Sequence, residues 1–323
     1  MRIFWACIIF CLSCTLVSFA QSRKSIETLY SMYLKGLFYA EEGDYHKGLK
    51  YLQKVQKLDP DSFLIRLRMS TLLIRLGEIE KAEKELKAAK ALDVEGFDAS
   101  LALIFLYSYT QNNEALEEEY EYFLEKAHTL DPQDVQVSEH LAQFYFHKNQ
   151  YQEAINVYEK ILESKADDVE SIFWLGLIYE EVDRKDDAIE VWKRGLVVDP
   201  NYAPILNSLG YIYADQGDNL DSAEKMIRKA LVSDPDNGAY LDSLGWIHFK
   251  KKDYKKSEEY LKQAVETVKD PIIYEHIGAL YVEMGNINEA VKYIKEGSEF
   301  FPDNNALQKK LKKYEEQSKT SKK

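Results

Sequence analysis

An all-α solenoid of about eight helix-turn-helix units is the fold this 323-residue chain predicts. Three observations carry that expectation. Mostly small residues stand at Gly36, Ser70, Ile104, Ala142, Gly176, Gly210, Gly245 and Gly278, separated by 34, 34, 38, 34, 34, 35 and 33 residues. Three residues after each comes a large side chain, in turn Tyr39, Leu73, Tyr107, Tyr145, Tyr179, Tyr213, His248 and Tyr281. A period near 34 marks an array of repeated units rather than one globular core. Finally, apolar residues recur at spacings of three and four on either side of a polar or glycine turn, so each unit holds two amphipathic helices.

The units justify themselves in order. The first runs through Gly36 and Tyr39 to the turn Glu42-Gly43-Asp44, then through Gly48, Leu52 and Val55 to the stop at Asp59-Pro60. The second turns at Gly77-Glu78 and continues through Ala82, Leu86 and Ala89. The third carries four extra residues between Tyr107 and Pro132, about one helical turn, with the acidic run Glu114, Glu117, Glu118, Glu119 and Glu121. Two roles are open for that turn, a protruding contact or a bend in the array. The fourth unit has Ala154, Tyr158 and Ile161, and the fifth has Ala188, Trp192 and Gly195 before Asp199-Pro200. The sixth turns at Gln216-Gly217-Asp218 and passes Ala223, Ile227 and Ala230 to Asp234-Pro235. The seventh has Ser257, Leu261 and Ala264, and the eighth turns at Gly285-Asn286 before Ala290, Ile294 and Gly297. Small residues let two helices approach closely, and proline removes a backbone donor and disfavours helical geometry in the residue before it, so Asp-Pro ends a unit. Stability then comes from stacking neighbours. A last helix is expected from Asn305, fraying after Gln317.

This pattern resembles the tetratricopeptide repeat over residues 29–304, which implies a right-handed superhelix, a role in binding other proteins, and a peptide groove lined by the first helix of each unit. Carried over position by position, the resemblance places Tyr30, Tyr33, Leu37, Leu67, Thr71 and Arg75 in the groove of the first two repeats. Its partner-binding part is expected in repeats three to seven, at Phe105, Tyr109, Glu139, Phe146, Phe173, Glu180, Asn207, Tyr211, Asp215, Asp242, Trp246 and Phe249. Aromatic anchors among carboxylates suit an extended or helical segment with apolar and basic residues. For Phe173 and Trp246 a place in the inter-repeat core stays open. One subtype of the family grips C-terminal carboxylates, but Tyr33 and Leu37 stand where it has lysine and asparagine. Residues 237–246 look like a stretch found in exported bacterial members.

Residues 1–20 read Met1-Arg2, an apolar run from Ile3 to Val17, and Ser18-Phe19-Ala20, the layout of a secretory signal with cleavage before Gln21. A lipid-bearing Cys14 or an uncleaved anchor are the alternatives, and membrane attachment is expected there only. Residues 21–28 read as a linker. All three cysteines lie in that first segment, so a cleaved chain forms no disulfide. No asparagine begins a glycosylation sequon, which points to a bacterial periplasm. Without residues 1–20 the chain has 41 basic and 55 acidic residues, net −14, with seven lysines in residues 309–323. A body this acidic repels nucleic acid. The six histidines are scattered without metal-ligand spacing, and no catalytic set, metal site or cofactor loop stands out. The expected function is therefore a non-enzymatic interaction scaffold or adaptor of the bacterial cell envelope. The alternative is a dedicated assembly factor for a pilus, secretin, outer-membrane or peptidoglycan-hydrolase machine.

Overall fold

A computed structural model describes residues 26–320 except residue 218, and the expected signal segment lies outside the described residues. Those residues are helical, without a strand. Helix α1 covers residues 26–41. It is followed by α2 (Tyr45–Leu58), α3 (Phe63–Arg75), α4 (Ile79–Leu92), α5 (Asp98–Thr110), α6 (Asn113–Leu130), α7 (Val135–His147) and α8 (Tyr151–Ser164). The remainder are α9 (Val169–Glu181), α10 (Lys185–Val198), α11 (Ala203–Gln216), α12 (Leu220–Ser233), α13 (Gly238–Lys250), α14 (Tyr254–Thr267), α15 (Pro271–Glu283), α16 (Ile287–Phe300) and α17 (Asn305–Thr320). The first sixteen pair into eight hairpins, and α17 packs on α15 and α16 with Leu307 and Tyr314 buried. Helix α17 does not fray after Gln317; it runs on to Thr320, and Ser318 Oγ donates to Asn288 Oδ1 at 2.9 Å.

The chain divides into two compact units, unit 1 ending at Val137 and unit 2 beginning at Ser138. Each is a stack of hairpins built by the rules the sequence announces. Every hairpin turn has a residue of positive φ at one register position, in turn Gly43, Gly77, Gln111, Asn149, Asp183, Gly217, Lys252 and Gly285, and the sixth turn has a second at Asn219. These eight keep the same intervals as the repeat itself, because a tight helix-helix turn needs a left-handed residue at one fixed place. Asp59, Asp131, Asp199 and Asp234 are the C-caps of α2, α6, α10 and α12, where proline follows. Within each hairpin the small residue meets the bulky one. A Cβ built on Gly36, Gly176, Gly210, Gly245 or Gly278 would come within 2.1 to 2.9 Å of Leu52, Trp192, Ile227, Leu261 or Ile294 respectively.

Two recurring ties have no counterpart in the apolar pattern. Tyr39, His248 and Tyr281 each stack on the aromatic residue twelve positions later, Tyr51, Tyr260 and Tyr293, at 5.5 Å between ring centres, which clamps the two helices of a hairpin. Between hairpins, the hydroxyls of Tyr107, Tyr179 and Tyr281 donate to Glu83, Glu159 and Glu258 on the second helix of the preceding repeat, at 2.9, 2.9 and 2.8 Å.

Helix α6 is 18 residues long against 14 for α4 and α8. Its extra turn packs inward within unit 1. Lys90 of α4 reaches Glu119 at 2.8 Å and lies 3.4 Å from the Tyr122 ring centre, Phe123 meets Phe97 edge-on at 5.1 Å, and Lys126 caps the Gly96 carbonyl. Glu119 is 8 % exposed, whereas Glu118 is exposed. Glu119→Lys is expected to lower the stability of unit 1 by roughly 2 kcal/mol, a figure reduced from that of a fully buried pair because Lys90 is partly wet. Glu118→Lys should be silent in the same denaturant titration. Equal midpoints for the two variants would show that the turn is not held from inside.

Candidate functional site: two grooves of different charge

Unit 2 gathers ten of the twelve expected site residues, because positions one or two turns apart on α7, α9, α11 and α13 fall on the same face of each hairpin stack. Two chains of aromatic rings run through it. Phe146 touches Trp174 at 6.0 Å, Trp174 touches Phe173 at 5.9 Å, and Phe173 touches Tyr202 at 6.1 Å. The second chain starts at Tyr211, whose ring is 6.1 Å from His276. His276 stacks on Trp246 at 4.0 Å, and Trp246 stacks on Phe249 at 4.6 Å. Phe173, Tyr211, Trp246 and Phe249 are half-buried, so Phe173 and Trp246 belong to neither a sealed core nor a fully wet surface. The apolar periodicity did not single out Trp174, Tyr202 or His276; the register of Trp174 and His276, two residues before the small-residue position of repeats five and eight, was the available signal.

The carboxylates fall into distinct environments. Asp242 lines the groove but is not an open acid as expected: it is 5 % exposed, and both of its oxygens lie 3.0 Å from His276 Nδ1. The reason is register. Asp242 stands three residues before Gly245, near the close contact between helices, where His276 of the next repeat occupies its carboxylate while the residue still lines the hollow around Asn207. Asp215 is exposed but held, since Lys250 donates to its backbone carbonyl at 3.0 Å and approaches its carboxylate at 3.5 Å while lying 5.0 Å from the Trp246 ring centre. Glu180 is the uncompensated one. It is half-buried and, among the described residues, its carboxylate accepts no hydrogen bond and forms no ion pair within 4 Å. Burial, with Glu181 and Asp215 nearby and only Lys185 opposing, pushes its carboxyl above the ordinary glutamate range. Burial, together with Asp168 and Glu170, does the same to Glu139, whose carboxylate accepts from Ser171 Oγ at 3.3 Å.

Tyr211 reports the same field. Burial raises its hydroxyl, and the charges acting on it are those of Asp242, Asp215, Glu180 and Glu275, all of them acidic. Lys310 neutralises Glu275 at 2.5 Å, which leaves Glu180 as the open acid beside the ring. One turn earlier on α11, Asn207 Oδ1 is buried without a hydrogen-bond donor. With Tyr211, Asn237, Asp242, Asp270 and Ile272, Asn207 lines a hollow of about 390 Å³. A buried carbonyl left unpaired costs about 1 to 3 kcal/mol, so an incoming N–H is favoured at that oxygen.

Phe105 and Tyr109, the other two expected residues, lie in unit 1 in a groove of their own. They are 65 % and 70 % exposed and share that groove with Leu64, Leu67, Thr71, Ile74, Arg68, Arg75 and Asp98. Leu67, Thr71 and Arg75 are among the expected groove residues of the repeat pattern, whereas Leu64 and Arg68 are not. The expected single stretch of alternating aromatics and acids is thus two sites of different chemistry. Among the described residues no three His, Cys, Asp or Glu side chains are placed to hold a metal ion, and no helix is long and apolar enough to cross a membrane.

The same architecture is found in known proteins. Models of the tetratricopeptide repeat match residues 39–103 and 121–173, 209–271, and 272–304. A TPR repeat-containing protein of Methanocaldococcus jannaschii is 44 % identical over 46 residues, and that match spans only 14 % of this chain and 14 % of the relative. Among solved structures, the APC/C hetero-tetramer Cut9-Hcn1 is similar at a TM-score of 0.56 and 18 % identity, over 84 % of this chain and 52 % of that one. A thermophilic TPR protein of Thermus thermophilus is similar at a TM-score of 0.50 and 21 % identity, over 55 % of this chain and 97 % of that one. At these identities the two structures speak to the fold alone. With family models on all but a minority of the array and a positive-φ turn at every repeat, this chain belongs to the tetratricopeptide repeat proteins.

Proposed function

We propose that the chain is a non-enzymatic protein-interaction scaffold that takes a partner segment with basic and apolar side chains into the groove of unit 2. The observation that carries this reading is the half-buried, ion-pair-free Glu180 beside Tyr211. A buried carboxylate without a cation is unfavourable in the free protein and becomes favourable once a lysine or arginine of a partner reaches it. Asn207 Oδ1 offers the partner's backbone an acceptor, and the stack of Trp246 and Phe249 offers a flat apolar platform for an anchor side chain.

Tyr211→Ala combined with Phe249→Ala is expected to abolish capture of the native partner with helicity retained by circular dichroism. Glu180→Lys alone should weaken capture, slow association and flatten its salt dependence, and Glu118→Lys serves as a surface control. Asp215 is left untouched because Lys250 already occupies it. Affinity should rise with pH above the ordinary glutamate value of 4.5, as Glu180 and Glu139 lose their protons. Stability moves the other way. A carboxyl with a raised folded-state pKa contributes stability that is fully present below 4.5 and is lost as pH rises through its folded value. Unchanged capture by both groove variants, or affinity that falls across this window, would remove the cationic-segment reading.

The bacterial cell envelope is the proposed location, on the signal layout of residues 1–20. Intact-mass measurement of exported protein is expected to place its first residue at Gln21; a lipid on Cys14 or a retained Met1 overturns that address. A lipid on Cys14 would instead favour the dedicated assembly factor, and co-purification from native envelope decides between that and a general adaptor.

A further inference from the structure

Helix α3 carries three arginines with different fates. Arg66 is tied down: it pairs with Glu85 at 2.9 Å and donates to the Pro60 carbonyl at 3.0 Å. Arg68 and Arg75 are exposed and have neither an ion pair nor a hydrogen bond among the described residues. Seven residues are nearly two full helical turns, so these two guanidinium groups leave the same face of α3 about 10 Å apart along its axis. Between them and α5 lies a groove of about 710 Å³ whose apolar walls include Leu64, Phe105 and Tyr109. All three of those side chains are exposed, at 42 %, 65 % and 70 %. Its one lining carboxylate, Asp98, is the first residue of α5, where it complements the positive end of that helix. The same arginines border the next hollow, at Leu37 and Glu41.

Resting on the protein-interaction reading above, we infer that unit 1 holds a second peptide site of opposite charge preference. Its occupant is an extended segment of a partner protein with two carboxylate side chains three residues apart and an apolar residue between them. A polyproline-II segment advances about 3.1 Å per residue and repeats every three residues, so carboxylates three positions apart leave the same face and match the spacing of Arg68 and Arg75. Guanidinium forks bind carboxylates in two-point fashion, and the intervening side chain enters the wall formed by Phe105 and Tyr109. The unit 2 groove, with Glu180 open, disfavours such a segment and favours its basic counterpart.

The test is selection of random twelve-residue peptides displayed on phage against the full chain, with the selected peptides then measured by fluorescence anisotropy. Two classes are expected. Peptides with paired acids around an apolar residue should lose more than tenfold in affinity to Arg68→Glu with Arg75→Glu, lose severalfold to the milder Arg68→Ala with Arg75→Ala, and bind Glu180→Lys unchanged. Basic peptides should show the reverse sensitivity. Because Arg68 and Arg75 are exposed and unpaired, both arginine variants are expected to melt with wild type. If no acidic class is enriched, or if its members bind the arginine variants within twofold of wild type, the second site is overturned while the unit 2 reading stands. Loss of the basic class alone overturns the unit 2 reading and leaves this one. If the arginine changes affect only binding to anionic phospholipid vesicles, the site is not a peptide site.

Discussion

Gly176→Leu is expected to lower the unfolding midpoint of unit 2 more than any surface change. A Cβ there would lie 2.1 Å from Trp192 Nε1, and the indole has no room to withdraw because it is fully buried and donates to the Phe173 carbonyl at 3.0 Å. Overpacking of this kind costs about 1 to 3 kcal/mol, and breaking the Trp192 hydrogen bond places the effect at the upper end. Trp192→Ala empties the same space from the other side and is expected to cost about 3 to 5 kcal/mol. The two changes should not add. With the indole gone, the new leucine side chain fills vacated volume, so the double variant should be more stable than the sum of the single effects predicts. Chemical denaturation followed by far-ultraviolet circular dichroism reads all three, with exposed Lys185→Ala as the unaffected reference. If the double variant proves strictly additive, Gly176 and Trp192 are not in contact.

The second large effect is expected at His276. Its removal as His276→Ala leaves Asp242 buried without its partner and takes away the ring on which Trp246 rests at 4.0 Å. Stranding one member of a buried pair costs about 3 to 5 kcal/mol. The variant should unfold early and shift the emission of Trp246 in the folded state, while Asp242→Leu, which removes the charge and fills the space, should be better tolerated. A His276→Ala melt within about 1 kcal/mol of wild type would mean that Asp242 reaches water unaided.

The helices, their stops and the small-to-bulky contacts of each hairpin were legible because each is set by residues within one repeat. Gly176 and Trp192 can be paired from register alone. The polar geometry was not. Asp242 reads as a free groove acid by position, and only the following repeat, which supplies His276, engages its carboxylate. Asp215 likewise meets Lys250 thirty-five residues later. Glu119 lies in an acidic run that looks solvated, but the extra turn of α6 rotates it onto Lys90. A period of 34 says which positions face a neighbour, and it does not say which polar partner the neighbour brings. For the same reason the separation of the groove into a basic-apolar part at Arg68 and Arg75 and an acidic-aromatic part at Glu180 is invisible to a pattern that counts positions rather than charges.

The tyrosine-to-glutamate ties also grade the mechanical strength of unit 2. Tyr179 fastens α9 to α8 and Tyr281 fastens α15 to α14, and at the seventh repeat His248 approaches Glu224 of α12 at 3.7 Å. At the sixth, Tyr213 has no such tie among the described residues. In α10, Ile189 and Lys193 stand where Glu258 and Glu159 stand in the helices that supply a tie, and neither side chain can accept a hydrogen bond from the hydroxyl. The boundary between α10 and α11 is therefore expected to be the compliant joint of the stack, read as early hydrogen exchange of its amides, and it lies immediately ahead of the helix that carries Asn207 and Tyr211.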